Sequence, residues 1–283
     1  MSRAPARVYV LGADGMLGRA WLQQLRAGGI EHRGFALPQF DLTRAADLDA
    51  LPLQPGDAVL NCAAWTDVDG AEKDEATATR VNGSAVGQLA QRCADAGASL
   101  VHYSTDYVFD GQASVPYPVD GMHAPLSAYG RSKAVGEPGV RGGAVVPAGA
   151  HQRWLYAPWG RTSSGAPSRS SRASGSTCAW STTSAVARPA PSIWCARWRL
   201  LGAGVRGIVH VTDGEQCTWF EFASAIAAAV APQCRVDPCT TAEFPRPARR
   251  PGYSVLDLAR TEAAIGAMPP WRDNLADVLA RLE

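Results

Sequence analysis

The chain has 283 residues, 27 of them Lys or Arg against 26 Asp or Glu, with 46% hydrophobic and 8% aromatic residues, the profile of an ordinary globular protein of one large domain or two modest ones. No run of about 18 consecutive apolar residues exists, which excludes a membrane-spanning helix. The formal net charge of +1 hides an uneven distribution: between Glu137 and Asp213 nine arginines stand without one acid, so that block is +9 and the remainder, 18 basic against 26 acidic residues, is −8.

The start, MSRAPARVYVLGADG, runs from a short basic lead into an apolar strand and a glycine turn, without a longer apolar core or a small-residue cleavage site, and predicts no secretory signal. Residues 7–11 form that strand, and residues 15–28 continue at helical spacing through Leu17, Trp21, Leu22 and Leu25. A weak second strand spans His32 to Leu37, a short helix lies near residues 45–51, and Asp57 to Asn61 reads as a parallel strand buried on both faces. A helix from about Glu75 to Ala96 carries Val81, Val86, Leu89 and Ala90 inward and stops at Gly97, and a strand follows from Ser99 to Tyr103.

This alternation predicts an α/β fold, a doubly wound parallel sheet of Rossmann type over residues 1–136, with its ligand crevice at the carboxyl ends of the strands. Residues 137–283 are expected to form a smaller C-terminal α/β substrate-binding part. Its strand lies at Gly207 to Val211, a helix capped by Thr218 runs from Trp219 to about Ala229, and an amphipathic helix runs from Trp271 to Leu282. The seven cysteines, Cys62, Cys93, Cys178, Cys195, Cys217, Cys234 and Cys239, are odd in number and lack C-x-x-C spacing. They fit thiols in a reducing cytoplasm better than disulfides or zinc.

Two constellations carry chemistry. Gly12, Gly15 and Gly18 have G-x-x-G-x-x-G spacing between a strand and a helix, so backbone amides can approach a pyrophosphate at the helix N-terminus. About 20 residues on, where an acid would bind the ribose of NAD and a basic group would favour NADP, stand Leu37 and Pro38 with Arg33 and Arg44 only nearby, so NADH and NADPH both stay open. Asp41 belongs beside the adenine or, equally, at a helix N-cap. The second constellation is Thr105 at a strand end with Tyr129 and Lys133 four apart on one helix face. An ammonium beside a phenol favours phenolate and tunes it as a general acid or base. Taken alone, such a pair is usually a surface pair; joined to the glycine turn it reads as functional.

The chain resembles the extended short-chain dehydrogenases and, within them, the dTDP-4-dehydrorhamnose reductases. The similar stretches are VLGADGMLG, NCAAWTDVDGAE (Asn61 to Glu72), VNG at Val81, HYSTDYVFDG (His102 to Gly111), YGRSKAVGE ending at Glu137, WLYAPWG (Trp154 to Gly160), GIVHVTDGEQCTWFEFA (Gly207 to Ala223), RRPGYSVLD (Arg249 to Asp257) and WRDNL. The resemblance implies hydride transfer from NADH or NADPH to the carbon-4 carbonyl of dTDP-4-dehydro-L-rhamnose, giving dTDP-L-rhamnose. Tyr129 would donate the proton, Lys133 would lower its pKa and hold the nicotinamide ribose, and Thr105 would orient the keto oxygen. Gly12, Gly15, Met16, Leu17, Gly18, Asp41, Leu42, Ala63, Ala64 and Trp65 would line the cofactor, and Asp69, Asp106 and Trp154 the sugar nucleotide. Some members bind magnesium at a dimer interface, so Mg2+ and a homodimer are implied without carboxylates to place here. Neither a DNA-binding motif nor a sustained basic face points to nucleic acid. The rival readings are another nucleotide-sugar epimerase or dehydratase, a non-catalytic dinucleotide-binding regulatory subunit, and an inactive product of a damaged gene.

Residues 138–153 and 161–200 depart from the family pattern, inside the acid-free block. Residues 162–192 are rich in Ser, Ala, Pro and Arg without a helical or strand period, where the resemblance demands ordered structure. A shifted reading frame accounts for this better than a linker. AWSTTSAVARP (Ala179 to Pro189) can be back-translated so that a two-base shift reads VVDDQRGRP, and AHQ (Ala150 to Gln152) moved one base permits R-T-S before Trp154.

Overall fold

The structure, a computed structural model, describes residues 5–142, 148–152, 178–181, 185–186, 200, 203, 205–243 and 245–280. Its main sheet has six strands: β1 (Val8–Leu11), β2 (His32–Phe35), β3 (Ala58–Asn61), β4 (Ser99–Thr105), β5 (Ala148–Gln152) and, later in the chain, Val209–His210. The order is β2-β1-β3-β4-β5 followed by Val209–His210, and every neighbouring pair is parallel.

Side-chain alternation along β1 shows why both faces must be covered. Val8 and Val10 enter one core with Leu17, Trp21 and Leu25 of the helix α1 (Met16–Ala27), while Tyr9 and Leu11 enter another with Leu51, Val59 and Leu89. The indole Nε1 of Trp21 donates to the Tyr103 hydroxyl at 2.7 Å, so even the largest side chain of the first core has its polar atom satisfied. The chain leaves β1 toward β2 on one side and returns to β3 on the other, which places the switch point of the sheet at the carboxyl ends of β1 and β3.

The predicted helix from Glu75 to Ala96 is a rod in three parts: Glu75–Thr79, a π-helical turn Arg80–Ser84, and Ala85–Asp95. The wider turn inserts a residue into the helical register, so Asn82 and Gly83 are buried while Val81, expected inward, is only half-buried. Strand β4 runs two residues past the expected Tyr103 and ends at Thr105. The helix α6 (Ala128–Gly142) crosses residue 136, the expected domain boundary, and β5 and Val209–His210 beyond it complete the first sheet. The strand expected at 207–211 therefore belongs to the main sheet rather than to a separate unit.

Near the C-terminus, Thr218 caps the helix Trp219–Val230 in a reciprocal capping box with Glu221. Trp219 and Phe222 of that helix pack against Trp271, Leu275 and Val278 of the helix Trp271–Leu279. Among the described residues no helix is long and apolar enough to cross a membrane. Residues 143–147 and 153 of the first departing stretch, and most of 161–200, lie outside the described residues.

Candidate active site

Gly12 opens the turn after β1 with φ +70°, and a Cβ built there would stand 2.7 Å from the Ala63 amide nitrogen. The turn and the loop after β3 thus touch at the switch point, which only glycine allows. A Cβ at Gly18 would strike the Gly12 carbonyl. Gly15 differs: a Cβ there would meet only the Gly12 carbonyl, at 3.3 Å, so the protein's own packing does not require its bareness. Gly15 is the N-cap of α1, no side chain caps that terminus and no acid sits in its first turn. The amides of Met16, Leu17 and Gly18 begin the helix there, and the Leu17 side chain is buried in the core. This is the arrangement a pyrophosphate fits.

Asp41 does not cap the short helix Ala45–Asp49, whose N-cap is Arg44. Its carboxylate accepts the Thr43 amide and hydroxyl at 2.9 and 2.8 Å, and these bonds hold its pKa below the ordinary value. Leu42 is buried in the core with Phe40 and Leu48. Arg33 lies over the Phe35 ring, and Arg44 pairs with Asp47 at 2.7 Å.

The loop after β3 is fixed from two sides. The Ala63 amide donates to Asn61 Oδ1 at 3.2 Å, and Asn61 Nδ2 lies 3.2 Å from His102 Nδ1 on β4. Ala64 is half-buried, and the Trp65 ring packs with Tyr129 on the small residues Ala71, Ala78 and Ala128. Asn82 exchanges two hydrogen bonds with the Trp65 backbone and donates to Ser132 Oγ, which in turn donates to the Tyr129 carbonyl at 2.7 Å. Asn82 has no role assigned from its sequence neighbourhood, and its one local signal is the VNG stretch that ends up in the π-turn.

Thr105 closes β4 and caps the 3-10 turn Asp106–Val108; its hydroxyl accepts the Tyr107 amide and donates to Asp106 Oδ1 at 3.1 Å. Tyr129 stands edge-on to Tyr107, ring centroids 5.9 Å apart. Burial, with Asp106 and Tyr107 adding to it, pushes the Tyr129 phenol above its usual pKa, and the Thr105 hydroxyl alone pulls the other way. Lys133 is 3% exposed and its Nζ donates to the Tyr103 carbonyl at 3.0 Å. Burial lowers this ammonium to about 8 against the opposing pull of Glu137. The expectation that Lys133 depresses the Tyr129 pKa is therefore corrected. The ammonium is drawn to a backbone carbonyl, and the phenol responds to its enclosure and to Asp106, which both raise it.

Asp69, expected near the sugar nucleotide, is gripped by two arginines. Arg250 Nη1 and Arg246 Nη2 lie 2.5 and 2.7 Å from its oxygens, and the Ala248 amide donates at 3.0 Å. Burial would raise this carboxyl, yet the bonds from Arg250, Arg246 and Ala248 together hold it well below the usual range. Arg250 also stands beside Tyr107, next to Tyr129. Neither arginine was singled out from the sequence, although Arg250 lies in RRPGYSVLD. Asp106 is buried at the same strand end, and Trp154 lies outside the described residues. Among the described residues, no three His, Cys, Asp or Glu side chains gather as a metal site would need.

A parallel sheet with a glycine turn at its switch point, and a half-buried Tyr and a buried Lys on the helix after β4, defines a dinucleotide-dependent oxidoreductase of the extended short-chain dehydrogenase class. Within it the chain belongs to the family described as RmlD substrate binding domain, whose model matches residues 6–162 and 186–283. A reductase of Haloferax volcanii named for low-salt glycan biosynthesis, Agl14, is 36% identical over 97% of this chain and 96% of its own. The dTDP-4-dehydrorhamnose reductase of Mycobacterium tuberculosis is 35% identical over 99% of this chain and 94% of its own. Among solved structures, the Bacillus anthracis dTDP-4-dehydrorhamnose reductase in complex with NADP superposes with a TM-score of 0.89 at 26% identity, covering 98% of this chain and 99% of that one.

Proposed function

We propose that the chain reduces the carbon-4 carbonyl of dTDP-4-dehydro-L-rhamnose to the alcohol of dTDP-L-rhamnose, with NADPH as the preferred hydride donor. The observation that carries this reading is the Tyr129 phenol beside the Thr105 hydroxyl at the end of β4, with burial pushing the phenol above its usual pKa. Ketone reduction needs a hydride at carbon and a proton at oxygen, and bound NADPH supplies the hydride. Tyr129 supplies the proton: its O–H bond breaks as the new O–H bond forms on the substrate oxygen. Thr105 turns its hydroxyl toward that oxygen, and Lys133 holds the nicotinamide ribose.

The amides at Gly15 to Gly18 hold the pyrophosphate, and Ala63, Ala64 and Trp65 line the cofactor. Asp41 and Leu42 border the adenine. NADPH is favoured over NADH because no acid follows β2 to take a ribose hydroxyl, and the nearest carboxylate, Asp41, is engaged by Thr43. Asp69 and Asp106 border the sugar nucleotide, where Arg246 and Arg250 bring the positive charge a diphosphate attracts. The test is oxidation of NADPH on addition of the dTDP-4-keto sugar. Turnover above that with NADH is expected, and a folded protein that binds NADPH without turnover overturns the reductase reading in favour of a non-catalytic one.

A further inference from the structure

Lys133 is not the only buried charge on α6. One turn further along, Glu137 is equally buried, at 3% exposure, and it closes the YGRSKAVGE stretch. A carboxylate taken out of water costs several kcal/mol unless donors surround it, so its partners are informative. Ser104, next to Thr105 on β4 but on the opposite face, donates its hydroxyl to Glu137 Oε1 at 2.6 Å. His123, on the loop ahead of α6, brings Nε2 to 3.3 Å from Oε2 and is 24% exposed. Among the described residues, the titratable groups facing this pair are His102 on β4 and His123 on the loop. His102 is held neutral by burial and by the Lys133 charge, so it adds no positive charge to the group.

We infer that Glu137 is a positioning residue for Lys133: its carboxylate, fixed by Ser104 and set one helical turn from the ammonium on the same buried side of the helix, is the counter-charge that holds Lys133 at the Tyr103 carbonyl. Burial works to strip Lys133 of its proton, and Glu137 is the group that opposes it. Without that counter-charge the lysine loses its proton at lower pH, and with it the charge that holds a ribose hydroxyl. The consequence for turnover rests on the reductase reading. The coupling of the two charges does not.

The sequence offers a direct probe, because Lys73 and Lys133 are its only lysines and Lys73 is exposed. Protein carrying 13C at lysine Cε gives two side-chain signals, and the loss of one in Lys73→Arg assigns both. In the wild type the Lys133 signal is expected to titrate near pH 8. In Glu137→Gln, which keeps the size and the Ser104 contact, the midpoint should fall by about one pH unit or more, while the Lys73 curve stays where it was. The alkaline limb of kcat/KM should move down by the same amount. If E137Q does not fold, Glu137→Asp retracts the charge by one methylene and should lower the midpoint less. A Lys133 midpoint that stays unmoved in whichever variant folds overturns the inference. Because the titration needs no substrate, absent turnover counts only against the reductase reading.

Discussion

Trp65 and Asn82 clasp one another by their polar atoms: the Trp65 amide donates to Asn82 Oδ1 and Asn82 Nδ2 donates to the Trp65 carbonyl, both at 3.0 Å. Asn82 reaches Ser132 on the helix Ala128–Gly142 with the same amide group, at 2.9 Å. One buried side chain thus ties the loop after β3 to α6, and the π-turn that carries it is the backbone distortion that aims it there. Asn82→Ala leaves the Trp65 backbone groups and the Ser132 hydroxyl without these bonds, so a loss on the order of 2 kcal/mol or more is expected. Urea unfolding measures it, and an unchanged midpoint would show that the clasp contributes nothing.

The three glycines of the turn should separate by phenotype. Gly12→Ala and Gly18→Ala collide with the Ala63 amide and the Gly12 carbonyl respectively, so both should lower stability by roughly 1–3 kcal/mol. Gly15→Ala meets no such obstacle. It should leave the thermal midpoint close to that of the wild type while weakening NADPH binding several-fold, read by cofactor fluorescence. Equal stability losses in all three would mean that Gly15 serves packing rather than ligand approach.

Tyr129→Phe removes the proposed proton donor without removing the ring that packs on Ala71, Ala78 and Ala128. A fall in kcat of about 10²–10⁴ with NADPH affinity retained is expected. In the wild type the raised phenol keeps its proton through neutral and mildly alkaline pH, so the alkaline loss of activity should belong to Lys133 and set in near pH 8. A profile flat to pH 10 would remove Lys133 from the mechanism.

Asp69 predicts a stability effect with a definite sign. Its folded pKa lies below the unfolded value, so its contribution is fully present above the unfolded carboxylate pKa of about 3.9 and is lost as pH falls through the folded one. Asp69→Asn should therefore melt below the wild type at neutral and mildly acidic pH, with the gap closing below about pH 4. Parallel melting curves across that range decide it, and a gap that stays constant would assign the effect to something other than the carboxylate charge.

What could be read from the sequence follows from the range of the interactions involved. Strand-to-helix periodicity is local, and β1, α1, β3 and β4 emerge within one or two residues of their expected bounds. The glycine turn and Thr105, Tyr129 and Lys133 each carry a local pattern that fixes their place in the fold. Long-range partners had no such signal. Arg246 meets Asp69 across 177 residues and Ser104 meets Glu137 across 33, and nothing in either neighbourhood marks the pairing. The direction of the Tyr129 shift was misjudged for the same reason: helix spacing places an ammonium near a phenol but does not reveal the Tyr103 carbonyl that draws it away.

The acid-free block carries the last prediction. Nine arginines and no acid between Glu137 and Asp213 stand beside a remainder at −8, and the family model passes over residues 163–185 inside that block. Arginine in 25 of the 27 basic positions suits GC-rich codons, in which a slipped frame fills with Arg, Ala, Ser, Pro and Gly without meeting a stop. Resequencing the gene should find compensating insertions or deletions flanking residues 138–153 and 161–200, and the restored chain should regain carboxylates there and become clearly acidic. It should also melt higher, since each large apolar side chain returned to a core adds roughly 1.5–3 kcal/mol. A single clean frame, with no indel relative to a sibling gene, would leave the block as a true part of this protein and the idea of a slip without support.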